Sequence, residues 1–477
     1  MSIFFGYRSS AQSLSPEIIL AYQKILEGKL DSSHLILNHK FTNDQDRAFK
    51  IYIRSLEDLL VLSLNRNKPL YQNYAEREKE YNAALGSLRK EDEFISFIKS
   101  EIRLHSAIIR FRYNDQFSGA LRLIQSYNMV KSMLKEPEPP PYIYKTAGVL
   151  NILLSIVPEK YDLVLRLIGI RPDLATGIQQ LEKLTEINGL FLFEGHMVWA
   201  LLNAYYLNEP EKSYAVISMN EKIRQKSLLY NYLAGLIYMK GRDNDKTIQS
   251  FKKCLQFNAE YMKIPSATFY LAESYMKKLD FSRAGTYYHQ YLNQSGARDL
   301  KKASYYGLYL ISLFNNDSIS GENYRKKVVH EGQLSAEADE YVYSLVVNNH
   351  YPHPEIQKSR LLFDGGYYEE SLRMLQSIGQ ANLDEEEKLE YQYRKGRVNQ
   401  LLNDYQAAEK YFELMFRSSF DDHYLVANAH LQMGYIEYEK GFPDESAVHF
   451  REAMKYSGAY YKTSIRNEAE AGLSLVD

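Results

Sequence analysis

Four small residues in this chain stand sixteen positions before an aromatic one: Gly235 before Phe251, Ala272 before Tyr288, Gly396 before Phe412 and Gly434 before Phe450. Twelve positions after each comes a second small residue: Thr247, Ala284, Ala408 and Ser446. Turn-forming stretches lie between, such as Met239-Lys240-Gly241-Arg242-Asp243 and Glu439-Lys440-Gly441-Phe442-Pro443. Facing small residues let two antiparallel helices approach closely, and the aromatic fills the gap toward the next pair. Such a unit cannot bury its apolar face alone, so it must stack on neighbours. The spacing therefore predicts an all-α chain of antiparallel helix pairs. No convincing strand pattern interrupts it.

This grammar, recurring about every 34 residues, resembles the tetratricopeptide repeat. The resemblance implies pairs stacked into a right-handed superhelical solenoid that offers a long curved surface to something else. Repeats are expected at 228–258, 266–294, 301–330, 355–380, 388–418 and 425–457, the third and fourth degenerate, with a capping helix over 458–477. Upstream, 15–135 reads as a helical region with degenerate repeats. Ser15-Pro16 starts a helix, 44–64 carries Phe49, Tyr52, Ile53, Leu56, Leu59 and Leu60 at helical spacing, and Pro69 ends that run. A further helix follows over 70–88. Residues 93–134 read as a pair, with Ile108, Ala120 and Ile124 at the twelve-and-sixteen spacing. Glu136-Pro137-Glu138-Pro139-Pro140-Pro141 cannot continue a helix, so 136–142 is the best candidate for a linker. Residues 143–227 form an apolar helical region that fits the repeat poorly.

One segment of that region carries a second likeness. It runs Gly148-Val149-Leu150-Asn151-Ile152-Leu153-Leu154-Ser155-Ile156-Val157-Pro158, then Gly169-Ile170-Arg171-Pro172-Asp173, then Gly177 and Leu181. It is similar to the family of the fungal mitochondrial inclusion-body clearance protein and its animal tetratricopeptide relatives, although the turn departs from that family's pattern at three places. Asp422-His423-Tyr424-Leu425 through Gly434, with Ala453 and Tyr456, also looks like that family's last repeats. The resemblance implies a helical-repeat adaptor with no catalytic site. It transfers no mitochondrial location.

The rest of the sequence narrows the function classes. A net charge of -2 supplies no global field for nucleic acid or an anionic membrane. The single cysteine, Cys254, excludes an internal disulfide and fits a reducing compartment, so a cytoplasmic location is favoured. The N-terminal Tyr7-Arg8-Ser9-Ser10-Ala11-Gln12 suits the end of a secretory signal, but only Ile3-Phe4-Phe5 precedes it; if residues 1–14 are a truncated signal, the location is periplasmic. Otherwise they are a flexible terminus. The longest apolar stretch, Val149 to Val157, is too short to span a bilayer, which leaves peripheral membrane association through a partner.

No phosphate loop, nucleophile elbow or His-Glu-x-x-His helix is present. His350-Tyr351-Pro352-His353 has metal-like spacing without a second cluster, and reads as a linker. Cys254 and Trp199 read as core. Glu194 and His196 do not share a helix face. The chain is thus expected to be no enzyme and to use no cofactor or metal.

In this repeat the first helix of each pair lines the groove. Groove positions six and three before the reference residue, and one and four after it, give Tyr232, Leu236 and Met239 around Gly235, and Phe269 and Met276 around Ala272. They give Tyr393 and Arg397 around Gly396, and Leu431, Tyr435 and Tyr438 around Gly434. This set suits a protein or peptide partner presenting an amphipathic helix, with flexible methionines adapting to it. The alternative is a carrier or sensor of an apolar small molecule or lipid in the same groove. A third possibility is that a tight superhelix, or residues 143–210 folding inward, fills the groove and makes these residues core.

Overall fold

A computed structural model describes residues 14–65, 68–88, 92–155, 170–185, 189–207, 209–294, 299–334, 336–458 and 461–476. The N-terminal signal reading, on residues 1–13, and the approach to the turn at 169–173, residues 156–169, lie outside the described residues. Every described regular element is a helix. The chain divides into two compact units: residues 1–271, 287–304 and 332–339 form unit 1, and residues 272–286, 305–331 and 340–477 form unit 2.

Unit 2 shows the repeat in its plainest form. Helices α22 (Glu385–Leu401) and α23 (Tyr405–Phe416) make one pair, and α24 (Tyr424–Glu439) and α25 (Pro443–Met454) the next; α26 (Lys462–Val476) packs on both helices of the last pair. The spacing works as steric logic dictates. A Cβ added to Gly396 would meet the Phe412 ring within 3.0 Å, and one on Gly434 would meet Phe450 equally closely. Phe450 is held from the other side by Gly472 of α26. Ser446 Oγ donates to the Gly434 carbonyl at 2.7 Å, so the small pair also satisfies a buried hydroxyl. In the degenerate pair α20 (Pro354–Asp364) and α21 (Tyr368–Gln376), Ser359 and Ser371 keep the twelve-residue spacing and bond hydroxyl to hydroxyl at 2.8 Å. Several of the turns inside pairs share one device. A left-handed residue precedes an aspartate that caps the second helix: Asn316 before Asp317, and Asn403 before Asp404. Unit 1 repeats it with Asn114 before Asp115 and Arg242 before Asp243.

Unit 1 holds α1 (Pro16–Glu27), α2 (Leu30–Leu37), α3 (Asp44–Asn65), α4 (Lys68–Gln72), α5 (Tyr74–Gly86), α6 (Glu93–Arg112), α7 (Gln116–Met133), α8 (Ile143–Ser155), α9 (Leu174–Thr185), α10 (Leu192–Leu201), α11 (Pro210–Met219), α12 (Glu221–Arg224), α13 (Leu228–Lys240) and α14 (Asn244–Gln256). Two details depart from the sequence reading. Pro69 sits inside α4, where the first turn tolerates it, instead of ending a run. The α6–α7 pair uses Ala107, Gly119 and Leu123, one residue before the expected register; Gly119 is buried against Phe111 while Ala120 is exposed. Residues 136–142 join α7 to α8, and both flanking helices pack together.

The core of unit 1 contains a buried polar network. The Tyr22 and Tyr52 hydroxyls donate to the Glu194 carboxylate, the latter at 2.8 and 2.9 Å. Lys145 Nζ lies 2.9 Å from Glu194 and 2.5 Å from Glu101. His105 shares a 3.0 Å hydrogen bond with Ser55. Phe49 and Phe191 pack against the two tyrosines. Burial works against the Glu194 carboxylate, but Lys145 and then the tyrosine hydroxyls hold it below its ordinary range. Burial also drives the His105 imidazole down to about 4, so it is neutral. Glu194 thus leaves its neighbour on α10, His196, which shares a hydrogen bond with Asn220 at 2.9 Å instead.

Candidate functional site

The first helices of the pairs sort their groove positions into two classes. Three before the reference residue, Tyr232, Phe269, Ile356 and Leu431 are buried, and Tyr393 is half-buried. Tyr232 packs edge-on to Phe251 and shares a 2.9 Å hydrogen bond with Ser266; Phe269 packs on Tyr288 and Tyr291. These rings fill space between successive helices and do not face a groove. Met276 is buried too. Leu236 and Met239 are half-buried, and the Leu236 carbonyl accepts from Tyr205 of the π-helical turn Leu202–Tyr206 at 2.9 Å. Part of the 143–210 segment therefore does lie against the first pair.

The accessible face runs through positions six before, two before and one after the reference. These are spaced four and three, so they share one helix face. On α22 they are Glu390, Arg394 and Arg397, and on α24 they are Asn428, Gln432 and Tyr435, all half-buried. Arg360 on α20 holds the equivalent place after Ser359. Tyr438 is exposed, one turn beyond Tyr435. The position two before was absent from the sequence reading, although the four-and-three step was there to be used.

These side chains interact across helices of unit 2. Arg394 donates to Glu390 at 3.0 and 3.3 Å, with its guanidinium 5.5 Å from the Tyr393 ring. Arg397 donates to Gln400 at 2.5 Å and to Gln432, and lies 5.7 Å from the Phe363 ring. Arg360 lies 3.8 Å from Asp364 and donates to the Tyr341 hydroxyl at 3.4 Å. Tyr341 sits on α19 (Glu337–Val347). Tyr461 lies beside Tyr341 and packs 5.2 Å from Tyr424. Burial should raise the Tyr341 phenol, yet Arg360, and after it Tyr461 and Arg394, carry it below its ordinary value. Burial likewise opposes ionisation of Glu390, and Arg394 and Arg360 overcome it. Both shifts report a positive local field. Cys254 is a buried thiol against the Leu228 carbonyl, raised by burial and unreactive.

No protein-family model matches the chain, and no curated protein matches it in sequence. Among solved structures it is similar to the human IFIT1 dimer with m7Gppp-AAAA, at 10% identity, 92% coverage of this chain, 100% of that chain and a TM-score of 0.33. It is also similar to the APC/C hetero-tetramer Cut9–Hcn1, at 13% identity, 96% and 89% coverage and a TM-score of 0.26. Likeness at this level transfers no ligand. The chain is a tetratricopeptide-like helical-repeat protein by its own geometry. Among the described residues no helix is long and apolar enough to cross a membrane.

Proposed function

We propose that the chain is a non-enzymatic scaffold that holds a segment of a protein partner on the accessible face of α20, α22 and α24. The observation that carries this reading is the gathering of Arg360 and Arg394 about Tyr341 and Tyr424, with Arg397 of the same face reaching Gln432 on α24. Guanidinium groups take carboxylates in fork geometry, and tyrosines add contact area at small entropic cost. The partner segment is therefore acidic and aromatic or aliphatic, more polar than the amphipathic helix expected for the first repeats. Tyr232, Phe269 and Met276, which an apolar carrier needs in its groove, are engaged in packing. The likeness of residues 148–181 to the mitochondrial inclusion-body clearance family belongs to the same proposal of an adaptor without a catalytic site.

The test is a quantitative pull-down with the full chain and with Arg360→Glu and Arg397→Glu. A protein that is enriched by the wild type and lost from both folded variants supports the reading. Enrichment of nucleic acid in its place, or a partner indifferent to both reversals, refutes it.

A further inference from the structure

Unit 1 carries an open cleft of about 810 Å³ between α3, the strand-free approach to it and α5. Arg47, Lys50, Ile51 and Arg54 line one wall. Spaced three, four and seven, they form one face of α3, while Phe49, Tyr52 and Ile53 are buried elsewhere on the helix. Tyr81, Ala84 and Leu88 form the opposite wall, and Phe41 lies 5.8 Å from Lys50 Nζ.

The lining holds four full cations, Lys40, Arg47, Lys50 and Arg54, against two carboxylates, Asp44 and Glu80. Asp44 pairs with Arg47 at 2.9 Å. Among the described residues Lys40, Lys50 and Arg54 form no ion pair. Lys50 and Arg54 are like charges one turn apart, an arrangement that destabilises a helix. Burial, and after it Arg54, holds the Lys50 ammonium below its ordinary range. A bound anion relieves both effects, and the apolar walls give an organic body a place to rest.

We infer that this cleft binds a small organic anion, its phosphate or carboxylate group on Lys50 and Arg54 and its apolar or aromatic body against Phe41 and Leu88. Titration calorimetry of the full chain with phenyl phosphate, phenylacetate and inorganic phosphate tests it, and the order of the first two tells phosphate from carboxylate. Saturable binding is expected, with phenyl phosphate tighter than inorganic phosphate. Lys50→Gln with Arg54→Gln should weaken it about tenfold or more, the scale of losing charged hydrogen bonds, while the melting temperature holds or rises. Glu80→Gln should tighten it. The inference is overturned if no probe saturates, if the double variant binds like wild type, or if Glu80→Gln leaves affinity unchanged. Equal affinity for phenyl phosphate and inorganic phosphate overturns the apolar half of it.

Discussion

The last two helix pairs of unit 2 and the N-terminal helices of unit 1 solve the same packing problem by different means. In the pairs, shape does the work: a bare glycine admits a ring sixteen positions ahead, as Gly396 admits Phe412 and Gly434 admits Phe450. Around α1, α3, α8 and α10 the centre is polar. There one carboxylate, Glu194, is reached by Tyr22 across 172 positions, by Tyr52 across 142 and by Lys145 across 49. A steric register tolerates a change of chemistry and resists a change of size. A buried ionic centre does the reverse, because an unpaired charge in a low-dielectric interior is costly.

That contrast is most exposed to disproof at Lys145. Lys145→Met keeps the volume and strands two carboxylates, and should destabilise unit 1 by roughly 3–5 kcal/mol in denaturant unfolding. A shift under 1 kcal/mol would mean that the network is cosmetic. Tyr232→Ala probes the packed class of groove positions, and the loss should be of the order of 3–5 kcal/mol, the cost of emptying an aromatic site. If this variant keeps its melting temperature, Tyr232 is a surface residue after all.

The pH response isolates the polar centre. His105 titrates at about 4 in the folded chain against 6.5 ordinarily. On acidification the unfolded chain takes up a proton first, so stability present above 6.5 is lost as pH falls toward 4. The full loss is about 3 kcal/mol. Asp58, pushed up to about 6 by burial, works in the opposite sense over much of that window. The measurement is therefore the difference between wild type and His105→Gln across pH 4–6.5, and equal slopes would refute the assignment. Gly434→Leu should cost roughly 1–3 kcal/mol by overpacking against Phe450. Trimming the ring in Phe450→Leu should return part of it, since touching residues do not add. Pro140→Ala, in the connection between α7 and α8, should move stability by no more than about 0.5 kcal/mol; a larger drop would give that connection a structural role.

Legibility followed the same divide. Gly235, Thr247 and Phe251, and the matching sets at 396 and 434, lie close enough in sequence for their spacing to be read, and all pack as that spacing requires. The polar centre could not be read. Tyr22, Tyr52, Lys145 and Glu194 each look like ordinary helix residues, and only the tertiary fold brings them together. The groove was half legible. Arg397, Tyr435 and Tyr438 are accessible, but Tyr232, Phe269, Met276 and Leu431 are interior. A large side chain three positions before a glycine points partly at the neighbouring pair, and hydrophobicity alone does not say whether it stops there. Asn-Asp at 114–115, 316–317 and 403–404 was an unused signal for the turns.

The reach of Ser227 back to the Leu26 carbonyl, at 2.7 Å across 201 positions, sets a schedule for synthesis. At about 5–20 residues per second, Leu26 leaves the ribosome roughly 10–40 s before Ser227 exists to bond it, and the Met262 amide that donates to the Gly28 carbonyl comes later still. During that interval Ile18, Tyr22 and Ile25 have no finished core to enter. α1 is thus fully secured only by segments made long after it.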